Sequence, residues 1–149
     1  MKRPEQGGGP APAALPCIRN AREAAHWLEV FENERREVLD ALDKLRQRFP
    51  STAGRMPARL VPRRGGGLLW RLRSASPKDE TLFELTGPTG RALLQRLPPP
   101  MRRLYLDVEA ERLKLNARWA ITNTVTRSLA HYLDRYQQVR ALRKSSETA

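Results

Sequence analysis

One stretch of this chain, residues 60–87, decides the expected fold, and it reads LVPRRGGGLLWRLRSASPKDETLFELTG. After the glycine triplet the side chains alternate between two sets, which are Leu68, Trp70 and Leu72 on one side and Leu69, Arg71 and Arg73 on the other. A period of two is typical of a half-buried strand. The glycines before it and the polar segment SASPKDE after it interrupt the pattern as turns do. We therefore expect flanking strands in ARLV and TLFELT, and a small antiparallel sheet.

Such a sheet is marginal in water unless it packs on a helix, and the preceding residues predict one. Asn20 and Glu23 have the spacing of a capping box, which indicates that the helix begins there. Pro50 ends it after Phe49. Between these limits the apolar residues recur at spacings of three and four, as expected for a helix with one buried face: Leu28, Phe31, Val38, Leu42, Leu45 and Phe49.

The residues after the sheet predict a short helix and then a long one. The segment PTGRALLQRL precedes three prolines, and residues 101–144 contain neither proline nor glycine. The main apolar stripe of the long helix comprises Leu104, Val108, Leu115, Trp119, Leu129, Leu133 and Tyr136. Four further residues widen it: Leu106, Leu113, Ile121 and Val125. So wide an arc indicates more than one neighbour. We expect the first helix and the sheet as neighbours, and a second subunit of a homodimer is a further candidate.

Taken together, these patterns predict an α+β fold. Two long helices pack on a small antiparallel β-hairpin or three-stranded sheet, in the order α-βββ-α-α. We expect one domain over residues 20–143. Residues 1–19, which are rich in glycine, proline and alanine, are expected to form a flexible leader, and residues 144–149 a disordered tail.

The charge of the chain is strongly positive and unevenly distributed. The formal net charge is +12, and 23 of the 28 basic residues are arginines. Residues 50–78 hold seven basic residues and no acidic one, whereas residues 20–49 are nearly neutral. A basic excess of this size favours phosphate backbones, acidic proteins or anionic surfaces as partners. Arginine in particular forms bidentate contacts with phosphates. A GC-rich genome would also explain the ratio of arginine to lysine, although not the net charge.

Several classes of protein do not fit the composition. Cys17 is the only cysteine, so neither an intrachain disulfide nor a four-cysteine zinc site can form. His26 and His131 belong to no metal-ligand motif, and we expect no metal and no cofactor. No apolar run approaches the ~20 residues of a membrane span, and the N-terminus lacks the hydrophobic region of a secretory signal. We expect a cytoplasmic bacterial protein without a membrane partner.

Two motifs resemble those of a protein family from integrative and conjugative elements, some of whose members carry the label integrase regulator R. The strand motif of that family corresponds to Leu69, Trp70, Arg71 and Arg73 in this chain. Its helix motif corresponds to Glu109, Arg112, Leu113, Leu115 and Asn116. This chain differs in having Leu72 between the two arginines and in its own Arg-Gly-Gly-Gly loop. The resemblance implies an accessory protein of a mobile genetic element and implies no particular activity.

No set of residues predicts catalysis, which needs a nucleophile, a base or a metal within mutual reach. Glu109, Arg112 and Asn116 share one face of the long helix and could form a polar cluster. The alternatives are a salt-bridged helix surface and a buried polar contact that positions the hairpin. The glycine triplet lacks the residues of a P-loop, although its backbone amides could meet a phosphate. We therefore predict a protein that is not an enzyme and has no catalytic residues.

The expected binding surface follows from placing Trp70 in the core, because the neighbouring arginines then face solvent. The candidate nucleic-acid-binding residues are Arg63, Arg64, Arg71, Arg73, Arg102 and Arg103. With few aromatic residues among them, contact with a duplex backbone is favoured over stacking on single strands. The predicted function is a non-enzymatic, DNA-associated accessory protein of a mobile genetic element, acting in maintenance, transfer or regulation. The alternative is a protein–protein interaction module or dimeric adaptor that binds an acidic partner.

Overall fold

The computed structural model describes residues 18–48 and 56–148. Most of the predicted leader, together with Cys17, Phe49 and Pro50, lies outside these residues. The elements are α1 (Ala21–Gln47), β1 (Ala58–Pro62), β2 (Leu68–Leu72), a 3₁₀ turn (Pro77–Asp79), β3 (Thr81–Phe83), α2 (Pro88–Arg96) and α3 (Pro99–Glu147). The predicted α+β class and the order α-βββ-α-α are confirmed. The domain limits stay a prediction, and α3 continues beyond residue 143.

Helix α1 begins where its capping residues predict. The side chain of Asn20 accepts a hydrogen bond from the backbone N–H of Glu23 at 2.9 Å. The carboxylate of Glu23 in turn accepts the backbone N–H of Arg19 at 2.9 Å. Two N–H groups that no helical carbonyl can reach are thereby satisfied. The face of α1 that enters the core consists of Val38, Leu42 and Leu45.

Helices α1 and α3 pack side by side in opposite directions. Glu34 forms an ion pair with Arg118. Trp27 lies about two helical turns before Glu34 on α1, and it lines a groove with Ile121, which lies after Arg118 on α3. The 49 residues of α3 span about 70 Å at 1.5 Å per residue, so this helix extends past the start of α1.

The three strands form one antiparallel sheet in the order β1-β2-β3. Leu60 lies opposite Trp70 and Arg59 opposite Arg71, while Trp70 and Arg71 in turn face Phe83 and Leu82 of β3. One face of the sheet is buried against the helices and supplies Ala58, Leu60, Leu68 and Trp70 to the core. Trp70 is completely buried, which confirms its expected place in the core.

The apolar arc expected for α3 is only partly buried. Leu106, Leu113 and Ile121 are 47%, 52% and 62% exposed, although the sequence pattern adds them to the packing face. The positions that α3 buries instead include Glu109 and Arg112. The difference arises because α3 meets the sheet through polar side chains, which an apolar pattern cannot reveal.

Candidate nucleic-acid interface

A buried ion pair on α3 holds the central strand. Trp70 Nε1 donates a hydrogen bond to Glu109 Oε2 at 2.6 Å. Arg112 binds the same carboxylate with two donors, at 2.7 and 2.8 Å, and donates a third hydrogen bond to the carbonyl of Leu68 at 3.0 Å. The hydrogen bonds to Glu109 raise the pKa of the Arg112 guanidinium above its ordinary value. Both charges of a buried ion pair need several hydrogen bonds, because each charge is expensive to remove from water.

Two further side chains of α3 complete the hydrogen bonding of the sheet where strands are missing. Asn116 accepts a hydrogen bond from the N–H of Leu68 and donates one to its carbonyl, both at 2.9 Å. The Tyr105 hydroxyl accepts the N–H of Ala58 at 3.1 Å and donates to its carbonyl at 2.9 Å. Buried backbone groups need partners, and here side chains take the place of a neighbouring strand. Burial raises the pKa of Tyr105. The predicted motif of Trp70, Glu109, Arg112 and Asn116 is therefore brought together, as a contact that positions the hairpin.

The glycine triplet packs against α3. Gly65, Gly66 and Gly67 have φ values of 94°, 108° and 88°, which side chains rarely allow. Trp119 Nε1 donates a hydrogen bond to the carbonyl of Gly65 at 2.9 Å. A Cβ on Gly66 would lie 1.6 Å from the same Nε1 atom. The end of the hairpin is thus held close to the helix.

The side of the sheet that faces away from the helices carries a set of cations, and we call it the open face. The strand registers place Arg59, Val61, Leu69, Arg71 and Leu82 on it, and the residues next to the strand ends, Arg73 and Glu80, continue the same alternation. None of these residues belongs to the core formed by the described residues. Among the residues that the structure describes, three arginines share this surface with one carboxylate, that of Glu80, so the surface is positively charged.

The carboxylate of Glu80 lies between two of these arginines. Its Oε2 atom is 2.9 Å from Arg59 Nη2 and 3.9 Å from Arg71 Nη1. The Glu80 side chain is only 10% exposed, whereas those of Arg59 and Arg71 are 40% and 38% exposed. The Nε atoms of Arg59, Arg71 and Arg73 are buried and have no hydrogen-bond partner among the described residues. The inner part of each guanidinium is therefore enclosed while its outer part reaches solvent.

The other predicted binding residues fall into two groups. Arg63 and Arg64 are exposed at the end of the hairpin, where they line a pocket of about 250 Å³ with Asn123 and Thr124 of α3. Arg103 is exposed on the first turns of α3. Arg102, however, donates hydrogen bonds to the carbonyls of Leu94 at 2.9 Å and Leu97 at 3.2 Å. Its guanidinium therefore caps the C-terminal end of α2.

Sequence reasoning gave no place in the site to four residues that the structure brings to it: Arg59, Glu80, Tyr105 and Trp119. In the sequence, Arg59 was only one of the seven basic residues counted in residues 50–78. A hairpin that turns at the glycine triplet would nevertheless place it opposite Arg71. Nothing in the local pattern around Glu80 indicates its contact with Arg59, which lies 21 residues earlier. Trp119 was expected in the apolar stripe of α3 and Tyr105 was assigned no role, whereas their polar atoms hydrogen-bond to Gly65 and Ala58 of the hairpin.

In the part of the chain that the structure describes, no group of three or more histidine, cysteine or acidic side chains could hold a metal ion. No helix among residues 18–48 and 56–148 has the length and apolar character needed to cross a membrane. No known family model matches the chain, and neither a curated protein nor a solved structure matches it.

Proposed function

We propose that this chain is a non-enzymatic protein that binds duplex nucleic acid, as an accessory factor of a mobile genetic element. The observation that carries the proposal is the open face, where Arg59, Arg71 and Arg73 share one surface with the single carboxylate of Glu80. Arg63 and Arg64 add two exposed cations at the end of the hairpin, beside α3. We define these five arginines and Glu80 as the basic surface.

Binding through the basic surface would be driven by release of the counterions that condense on a duplex. About four phosphate contacts give a slope near −3.6 in a plot of log K against log salt. Affinity for a random-sequence duplex should then fall about 150-fold between 50 mM and 200 mM salt. The hairpin is held on α3 by Trp70, Asn116 and Trp119, so the cations are presented on a rigid support.

The test is a fluorescence-anisotropy titration of the full chain with a random-sequence duplex at several salt concentrations. Changing Arg63 and Arg64 to Gln together should reduce the magnitude of the salt slope by about 2. The matched control changes Arg140 and Arg143 to Gln, because they lie about 32 and 36 Å beyond Trp119 along α3 at 1.5 Å per residue. The control should keep the wild-type slope. Absence of binding at about 50 mM salt would contradict the proposal, and so would equal effects of the two double variants.

A second candidate function, self-association, is favoured by the outer stripe of α3. Leu106 and Leu113 are 47% and 52% exposed and recur in one heptad pattern with four small residues, Ala110, Ala117, Ala120 and Thr124. In an antiparallel pair of copies, Leu113 would face Ala117 and Leu106 would face Thr124, so large side chains meet small ones. Light scattering over a range of concentrations tests this candidate. A dimer that Leu113→Glu dissociates, while Leu142→Glu does not, supports it; a monomer at all concentrations refutes it.

A further inference from the structure

The side chains of the open face are arranged in a pattern that attraction to phosphates alone does not require. Arg59 lies opposite Arg71, which lies opposite Leu82 on β3. The adjacent row pairs Val61 with Leu69. Like charges placed directly opposite each other destabilise a sheet, yet here they are kept together by a carboxylate within reach of both. The arrangement therefore combines oriented cations with the exposed side chain of Leu82 and the half-buried side chains of Val61 and Leu69 on one face.

Glu80 restricts the two guanidiniums before any ligand is present. It binds Arg59 at 2.9 Å and lies 3.9 Å from Arg71, and its own side chain is largely buried. The Nε atoms of both arginines are enclosed although they make no hydrogen bond among the described residues, so packing limits the freedom of that end of each side chain. A side chain that is already ordered loses less conformational freedom on binding, so such arginines are suited to directional hydrogen bonds.

We propose that the open face enters the major groove of DNA and contacts base edges, with Arg59 and Arg71 as the reading residues. This inference rests on the proposed function. The major groove is ~12 Å wide and ~8.5 Å deep and admits a two-stranded β-ribbon, whose strand axes lie ~4.8 Å apart; Arg59 and Arg71 stand on such a pair, β1 and β2. Arginine pairs with O6 and N7 of guanine, and an apolar side chain contacts the methyl group of thymine. Leu82, 53% exposed and next to Arg71, is placed for the second contact.

Glu80 acts in this scheme as a positioning residue and also opposes binding to phosphates. Removing its charge has two effects of opposite sign. The affinity for any duplex rises, because one negative charge leaves the basic surface. The discrimination between sequences falls, because Arg59 and Arg71 lose the group that orients them. A merely structural role would lower both quantities together.

The experiment is a selection of binding sequences from random duplexes with the full chain. We expect an enriched motif that contains guanine. Replacing its guanines by 7-deazaguanine removes the N7 acceptor without altering base pairing or the O6 acceptor, and should weaken binding by part of the about 5- to 150-fold that the loss of a whole bidentate contact costs. Arg71→Lys keeps the charge and should lower the ratio of affinities for selected and scrambled duplexes by a similar factor. Arg143→Lys is the control and should leave this ratio unchanged. Glu80→Gln should raise the affinity for the scrambled duplex and lower the ratio.

The outcomes separate this inference from the proposed function. A chain that binds duplexes strongly but enriches no motif contacts the backbone alone, which refutes base reading and leaves the proposed function intact. A motif that tolerates 7-deazaguanine also refutes it. Equal binding to duplex RNA would exclude major-groove entry, since that groove is too narrow in A-form helices. A chain that binds no duplex at about 50 mM salt overturns both proposals.

Discussion

Neutralising Glu109 is the sharpest test of how the hairpin is held. Its carboxylate accepts hydrogen bonds from Trp70 and from two nitrogens of Arg112, and the side chains of Arg112 and Glu109 are only 4% and 7% exposed. In Glu109→Gln, Arg112 would remain buried without its main partner, because Glu84 lies 3.6 Å away and is 67% exposed. Breaking a buried pair from one side costs about 3–5 kcal/mol. A domain is stable by about 5–15 kcal/mol, so the loss is large.

Urea unfolding followed by circular dichroism and tryptophan fluorescence measures this loss as a change in the free energy of unfolding. The matched control is Glu111→Gln, since Glu111 pairs with Lys114 at the same i,i+3 spacing on the same helix but at 39% and 57% exposure. An exposed pair is worth at most about 1 kcal/mol. The apolar double variant Glu109→Leu with Arg112→Met should be less destabilised than the sum of its single variants, because no charge is left unpaired.

Two results would refute the reasoning. The first is a loss below about 1 kcal/mol for Glu109→Gln, close to the exposed-pair control, which would mean that Arg112 finds solvent or another partner. The second is additivity of Glu109→Leu and Arg112→Met, which would mean that the two side chains do not interact in the folded protein.

Three further predictions concern the glycine triplet, Tyr105 and the start of α1. Gly66→Ala should lower the free energy of unfolding by well over 1 kcal/mol, because its Cβ would overlap Trp119; Gly65→Ala meets no atom within 4 Å and should cost only the backbone strain of about 1 kcal/mol. Equal losses would show that Trp119 is not seated on the loop. The raised pKa of Tyr105 means that its stabilising contribution is complete below pH 10.0, its ordinary value, and is lost as the pH rises through the folded value. An absorbance titration at alkaline pH should show one tyrosine that ionises at a higher pH than the others, and this ionisation should be absent in Tyr105→Phe. A titration that is unchanged in that variant would contradict the prediction. Asn20→Ala should destabilise the chain by about 1 kcal/mol in thermal unfolding, and no change would mean that the cap is not used.

The local patterns of the sequence were sufficient for the elements. The alternation around Trp70 predicted β2, and three-and-four spacing predicted the buried face formed by Val38, Leu42 and Leu45. These predictions succeed because a strand or helix with one buried face repeats its apolar residues at the period of its own backbone. The same rule failed for Leu113, whose helical spacing is correct but whose side chain is half exposed.

The candidate site could be foreseen only in part. Arg71 was expected on the outer side of its strand, because Trp70 had to face the core. Arg102 was expected at the binding surface as well, and it instead caps α2 through the carbonyls of Leu94 and Leu97. Both residues look alike in the sequence, since a guanidinium can bind phosphate or a helix end equally well.

What the sequence determined by itself was therefore the set of elements, their order and an excess of positive charge near the hairpin. The tertiary structure alone decided which charges are buried and which are presented. Glu109 is 39 residues from Trp70, and Glu80 is 21 residues from Arg59. Local periodicity carries no information over such separations, because the pairing of these groups depends on strand register and on where α3 crosses the sheet. That long-range geometry turns Glu109 into a support for the hairpin and leaves Arg59 and Arg71 on its open face.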